Sequence, residues 1–185
     1  MTIPNFITLL RFLLVPAVIF ALLTGEVEWA FAGFVFAAVS DGVDGFIARQ
    51  FNQKSELGAY LDPMADKLLL VSVFVVLGYM GNLPLWLVVA AVSRDGLIVG
   101  GVLLSAVMDQ PVAMKPLLIS KANTLVQLLL AAVVLAGLTF DFSLGLLYPG
   151  LVYFSGLLTV ASGAAYLVNW IKHMGGHVDT GTSGQ

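Results

Sequence analysis

Six apolar runs, each about as long as the roughly 20 residues a helix needs to cross the hydrocarbon core of a bilayer, constrain this chain more than any other feature. They cover about Phe6 to Leu23, Val27 to Ile47, Leu57 to Met80, Pro84 to Val107, Asn123 to Phe140 and Leu147 to Ile171. Breaks such as Thr24-Gly25 and Gly81-Asn82-Leu83-Pro84 separate them. Pro16 lies inside the first run, where a lipid-embedded helix tolerates a kink if neighbours satisfy the freed backbone groups. Of 185 residues, 59% are hydrophobic and 10% charged. A soluble domain carries about a quarter, so these few charges could not coat a water-facing surface. The expected architecture is an all-α integral membrane protein of six transmembrane helices.

Composition also removes several chemistries. There is no cysteine, which excludes disulfides, thiolate metal sites and cysteine nucleophiles. A formal charge of −3 gives no electrostatic reason for a nucleic-acid partner. No basic n-region precedes the first run and no A-x-A-like site follows it, so that run is expected to be a retained helix. The expected domain spans 1–174. The tail, 175–185, is rich in Gly, Thr and Ser without an apolar face and is expected to be disordered.

Charge placement predicts orientation. With a cytoplasmic N-terminus, the inner loops hold Arg49, Lys54, Lys115 and Lys121, and the inner tail holds Lys172. The outer loops hold Glu26, Glu28 and Asp141 without any Lys or Arg. This positive-inside pattern puts both termini in the cytoplasm, and a bacterial inner membrane is the expected location.

Four acids sit where lipid disfavours them. Asp41 and Asp44 are one turn apart near the inner end of the second run, and Asp62 and Asp66 are four apart near the start of the third. Such spacings share a helix face, and the short connection makes the two helices antiparallel neighbours. An Asp at the bilayer centre costs about 2.5–3.5 kcal/mol. Four together also repel one another, and Arg49, Lys54 and Lys67 are too few to neutralise them and Glu56. Hard carboxylate oxygens with room for water suit Mg²⁺ or Mn²⁺. A lone acid paired with an arginine or capping a helix is the blander alternative, and four acids at matched spacing weigh against it.

These residues carry a resemblance. Asp41, Asp44, Gly45, Ala48, Arg49, Gly58, Asp62 and Asp66 fill the pattern D-x-x-D-G-x-x-A-R-x8-G-x3-D-x3-D, which resembles the signature of the CDP-alcohol phosphatidyltransferases. The opening Pro4-Asn5-x-x-Thr8-x-x-Arg11, the pair Arg94-Asp95 and the stretch Ser120-Lys121-x-Asn123-Thr124 look like further family features in family order.

The resemblance implies a six-helix fold and transfer of the phosphatidyl group from CDP-diacylglycerol to an alcohol, with release of CMP. It implies two divalent ions held by Asp41, Asp44, Asp62 and Asp66, with Asp66 as general base. Substrate contacts would come from Asn5, Thr8, Gly45, Ala48, Arg49, Gly58, Arg94 and Lys121, and the family is usually homodimeric. Arg11 could line the nucleotide pocket or pair with an acid. Lys121 could equally be a snorkelling surface charge. Gly96 and Gly100 are expected to serve helix packing or a dimer face.

The branch resembled contains the cardiolipin synthases and the phosphatidylglycerophosphate synthases. Asn123 stands where the latter usually carry a second Lys, and Arg94-Asp95 where they usually have Arg-Glu. With eight Lys and Arg in the whole chain, a monoanionic phosphodiester acceptor fits better than a dianionic monoester. Phosphatidylglycerol is therefore the expected acceptor and glycerol 3-phosphate the alternative. A cation transporter or channel would spread its acids through the membrane depth. A prenyl transferase would need more helices and a D-D-x-x-D run. Neither matches this pattern.

Overall fold

The computed structural model describes the backbone of residues 3–51, 56–107 and 118–175, and within these the side chains of 10–40, 67–101 and 118–170. Six helices account for the described backbone: α1 (Ile3–Leu23), α2 (Val27–Phe51), α3 (Glu56–Tyr79), α4 (Leu85–Val107), α5 (Leu118–Phe140) and α6 (Leu147–Gly175). The expected tail beyond Gly175 lies outside the described residues.

The helices differ from expectation mainly at their ends. α1 begins at Ile3, which puts Pro4 in the first turn, where its missing N–H breaks no helical bond. α1 also continues through Pro16 as one helix. α5 begins five positions before the expected Asn123, because Ser120 is a helical residue rather than part of a polar loop.

Three helix ends share one device. Gly25 adopts φ +82°, and the amides of Gly25 and Glu26 return to the carbonyls of Leu22 and Ala21 at 3.2 and 2.8 Å. Gly81, at φ +79°, repeats this with Gly78 and Leu77. Both are Schellman caps, in which a left-handed residue lets two amides fill carbonyls that the helix end leaves bare. At the end of α5, Asp141 takes the left-handed position at φ 48°, and Phe142 N–H reaches the Gly137 carbonyl at 3.3 Å.

Packing runs through α1 on α2 and α3, α5 on α6 and α2, and α4 on α6 and α3. The apolar core follows helical spacing, as in Val15, Val18 and Leu22 of α1 against Ala30, Phe34 and Ala37 of α2. α4 and α6 meet where the Trp86 ring lies over Gly156. A Cβ at Gly156 would come within 2.6 Å of that ring, so any larger residue would have to displace it.

The outside of the bundle is apolar. Phe20, Trp29, Leu97, Leu157 and Val160 are each more than 60% exposed, whereas Arg11, Arg94, Asp95, Asn123, Gln127, Ser155, Thr159 and Ser162 are buried. This inverts the distribution of a water-soluble domain, in which charged groups face out. Among the described residues, Leu118–Phe140 and Leu147–Trp170 are long and apolar enough to cross a membrane. Leu10–Leu23, Val27–Ser40 and Lys67–Tyr79 are shorter apolar helical stretches.

Candidate functional site

α2 carries Asp41, Asp44, Gly45, Ala48 and Arg49, and α3 carries Gly58, Asp62 and Asp66. Asn5 and Thr8 lie on the first turns of α1. All these positions are helical, and α2 and α3 touch one another. Their side chains lie outside the described residues, as does Lys115. Among the described residues no group of three His, Cys, Asp or Glu side chains forms a metal cluster.

The described side chains form a polar cluster around Arg94 on α4. Its side chain is 3% exposed. Nε and one terminal nitrogen donate to Ser162 Oγ on α6 at 3.2 and 2.6 Å, and the same terminal nitrogen donates to Ser120 Oγ on α5 at 2.5 Å. The other terminal nitrogen donates to Asp95 Oδ1 at 2.5 Å. The guanidinium carbon also stands 5.8 Å from the centre of the Tyr166 ring, within cation–π range. Lys67 of α3 donates to the same Asp95 oxygen.

Four helices therefore converge on one arginine. The rigid fork of a guanidinium suits this role because its donors leave in fixed directions. Two cations, Arg94 and Lys67, share one carboxylate, so this cluster of described residues carries a net charge of +1. Lys67 is the more exposed partner, with 39% of its side chain accessible against 12% for Asp95.

A second polar cluster lies further along α5 and α6. Thr159 Oγ1 is 2.9 Å from Asn123 Oδ1 and 2.8 Å from the Ser155 carbonyl, and it accepts from Gln127 Nε2 at 3.1 Å. The Asn123 side chain is fully buried, and its Nδ2 has no acceptor among the described residues. Interhelical bonds of this kind, each worth about 0.6 kcal/mol and up to about 2 kcal/mol, fix the rotation of α6 against α5.

Arg94 is the hub of this cluster, and Lys121 is not among its described partners. Lys121 is exposed, while its neighbour Ser120 points at Arg94. Arg11 is buried at 2% exposure on α1. Among the described residues Gly96 and Gly100 pack against nothing, since a Cβ at either would meet no described atom within 4 Å.

Several polar members of the site drew no attention in the sequence. Ser155, Thr159, Ser162 and Tyr166 are spaced four, three and four apart along α6, which is a helical stripe. Ser120, Asn123 and Gln127 form the facing stripe on α5. Those two periodicities were the signal.

Comparison with known proteins adds identity to this geometry. The profile of the family described as CDP-alcohol phosphatidyltransferase matches residues 1–171. The human protein named "Cardiolipin synthase (CMP-forming)" is 33% identical over 181 residues, which cover 89% of this chain and 60% of that protein. The Drosophila melanogaster protein named "Probable cardiolipin synthase (CMP-forming)" is 33% identical over 185 residues, covering 91% and 58%. A Mycobacterium tuberculosis (strain CDC 1551 / Oshkosh) protein named "Probable phosphatidylglycerophosphate synthase" is 37% identical over 99 residues, covering 49% and 46%. The chain spans three fifths or less of the length of these relatives. A match across nearly all of its helical part, with the signature residues on α2 and α3, means that this chain belongs to the CDP-alcohol phosphatidyltransferase family.

Proposed function

We propose that this protein is a six-span membrane enzyme that transfers the phosphatidyl group of CDP-diacylglycerol to phosphatidylglycerol, releasing CMP and forming cardiolipin. The observation that carries the reading is the 33% identity, over most of the chain, to proteins named CMP-forming cardiolipin synthases. Among the described residues the cluster at Arg94 holds two cations on one carboxylate, which supports an anionic acceptor phosphate there. Glycerol 3-phosphate is the second reading. It is favoured by the likeness to a protein named phosphatidylglycerophosphate synthase, over about half of this chain.

Asp41, Asp44, Asp62 and Asp66 would hold two divalent ions, Mg²⁺ or Mn²⁺, because four hard carboxylates without nearby thiol or imidazole suit these cations. When bound, such ions neutralise the pyrophosphate and stabilise the departing phosphate. Asp66 takes the proton of the acceptor hydroxyl, whose oxygen attacks the phosphorus bearing diacylglycerol. The bond from that phosphorus to the CMP oxygen breaks, and CMP leaves as the new phosphodiester forms. Asn5, Thr8, Gly45, Ala48, Arg49 and Gly58 line the nucleotide side, and Arg94 holds the acceptor phosphate. Lys121 sits at the membrane surface and draws anionic head groups towards the site. The inner-loop cations place this chemistry on the cytoplasmic side. The enzyme works as a homodimer, as the family resemblance implies.

The test is lipid product analysis with the purified protein in lipid–detergent micelles. Cardiolipin is expected from CDP-diacylglycerol and phosphatidylglycerol, abolished by EDTA and restored by excess Mg²⁺ or Mn²⁺. Asp66→Asn is expected to stay folded yet release no CMP. Near-normal turnover by that variant would remove Asp66 as the base.

A further inference from the structure

A groove of about 590 Å³ runs between α4 and α6. On the α4 side, Gly96 and Gly100 leave its wall open, since a Cβ at either meets no atom within 4 Å. Its floor reaches α6 beside Gly101, whose Cβ would lie 3.9 Å from Trp170 Cδ1. Leu97 and Leu167, each more than half exposed, form apolar lips on the outer surface of the bundle. The volume falls within the range of about 300–1,000 Å³ typical of ligand pockets.

One wall of this otherwise apolar groove is Arg94. Its four described bonds use four of the five N–H groups of a guanidinium, so one hydrogen on the nitrogen that faces Asp95 has no acceptor among the described residues. Trp170 Nε1, on the groove residue from α6, is likewise buried without an acceptor among the described residues. Buried donors are rarely left bare, and both belong to residues that line this groove. The charge agrees with the donors: among the described residues, two cations share one carboxylate.

We propose that the groove between α4 and α6 receives an acyl chain of the lipid acceptor, with the acceptor's phosphodiester against Arg94. The proposal rests on the phosphatidylglycerol reading above and deepens it. The division of labour follows from the solvent. A chain moving from bilayer to groove gains no hydrophobic energy, because lipid tails are as apolar as the leucines. The walls therefore give access and alignment, while the guanidinium selects an anionic head group. A second copy of the chain is the other candidate occupant, since glycine-rich faces favour helix association. A symmetric contact there would bring two copies of the same net-positive cluster towards each other, which argues against it.

The test uses the full chain in mixed micelles with CDP-diacylglycerol as donor. Gly100→Leu adds a side chain into open groove and replaces the weakest ordinary helix former by a strong one, so the fold is retained. We expect the KM for long-chain phosphatidylglycerol to rise about tenfold with kcat little changed, the mark of lost ground-state binding. The KM for CDP-diacylglycerol should stay constant, and a short-chain phosphatidylglycerol should be used equally by both proteins. An unchanged KM for the long-chain acceptor would overturn the groove while leaving the acceptor reading intact. A raised KM for the donor instead would assign the groove to the donor's chains and overturn the proposal. A wild-type protein that does not use phosphatidylglycerol at all would overturn both readings.

A measurement on the unmutated protein removes dependence on any variant. Phosphatidylglycerol carrying a diazirine on its acyl chain should label the segments holding Leu97 and Leu167. Unlabelled phosphatidylglycerol should compete, and zwitterionic phosphatidylcholine should not. Equal competition by both lipids would reduce the groove to unselective lipid contact, and cross-linking of chain to chain across these residues would assign it to a second copy. Either result overturns the proposal.

Discussion

Arg94 and Ser162 stand 68 positions apart, yet two nitrogens of the arginine donate to the one serine hydroxyl oxygen, at 3.2 and 2.6 Å. This contact ties α4 to α6 and holds the guanidinium where α3, α4, α5 and α6 converge. A buried arginine is stable only when its donors are filled. The hydroxyl is therefore structural as well as a guide to where the guanidinium points.

Ser162→Ala leaves two of those N–H groups without an acceptor. A buried donor left unsatisfied costs about 1–3 kcal/mol, so the thermal midpoint in detergent should fall clearly. The KM for the acceptor should rise with it as the fork loses its orientation. A variant with wild-type melting and wild-type KM would contradict the role given to Ser162.

Asp95 and Lys67 should differ in what their loss does. Asp95→Asn leaves Arg94 and Lys67 facing each other without their shared carboxylate, and breaking a buried ion pair costs about 3–5 kcal/mol. Lys67→Gln removes a partner that is 39% exposed, and the Arg94–Asp95 pair survives. Exposed pairs are worth about 0–1 kcal/mol, so its melting point should move little. Thermal scans of the two variants side by side check the order, and the reverse order would refute the cluster as described.

Asn123→Lys is a sharper case, because sequence and structure point different ways. By sequence, Asn123 distinguishes an acceptor with one charge from an acceptor with two. In the structure it is fully buried and bonded to Thr159, so a lysine would bring an ammonium into a site already occupied by Thr159 and Gln127. An unpaired buried charge costs several kcal/mol. The expected outcome is a low yield of folded protein rather than a switch of acceptor, read by size-exclusion profile and activity together. A well-folded variant with raised use of glycerol 3-phosphate would restore the sequence argument.

Much of the helical framework was legible because its punctuation is chemical. Gly25 and Gly81 mark helix ends as left-handed caps, and α1 and α3 stop beside them. The start of α5 was misplaced because Ser120 and Lys121 read as loop in a chain where polarity otherwise means water. Within the bundle the same polarity means a buried partner, and Ser120 has one in Arg94. The stripe of Ser155, Thr159, Ser162 and Tyr166 escaped notice because an apolar run of this length hides single hydroxyls. Asp95 was read as half of a motif, whereas its carboxylate is the hub of two cations. Gly96 and Gly100 were expected to serve helix packing or a dimer face, and among the described residues they line a groove. No contact within a sequence could distinguish those two uses of a small residue.

The most direct measurement is CMP release from CDP-diacylglycerol with phosphatidylglycerol and glycerol 3-phosphate offered separately, each with and without EDTA. The account predicts metal-dependent release with phosphatidylglycerol and little with glycerol 3-phosphate. Release with glycerol 3-phosphate alone would contradict the acceptor, and release with neither alcohol would contradict the proposed reaction.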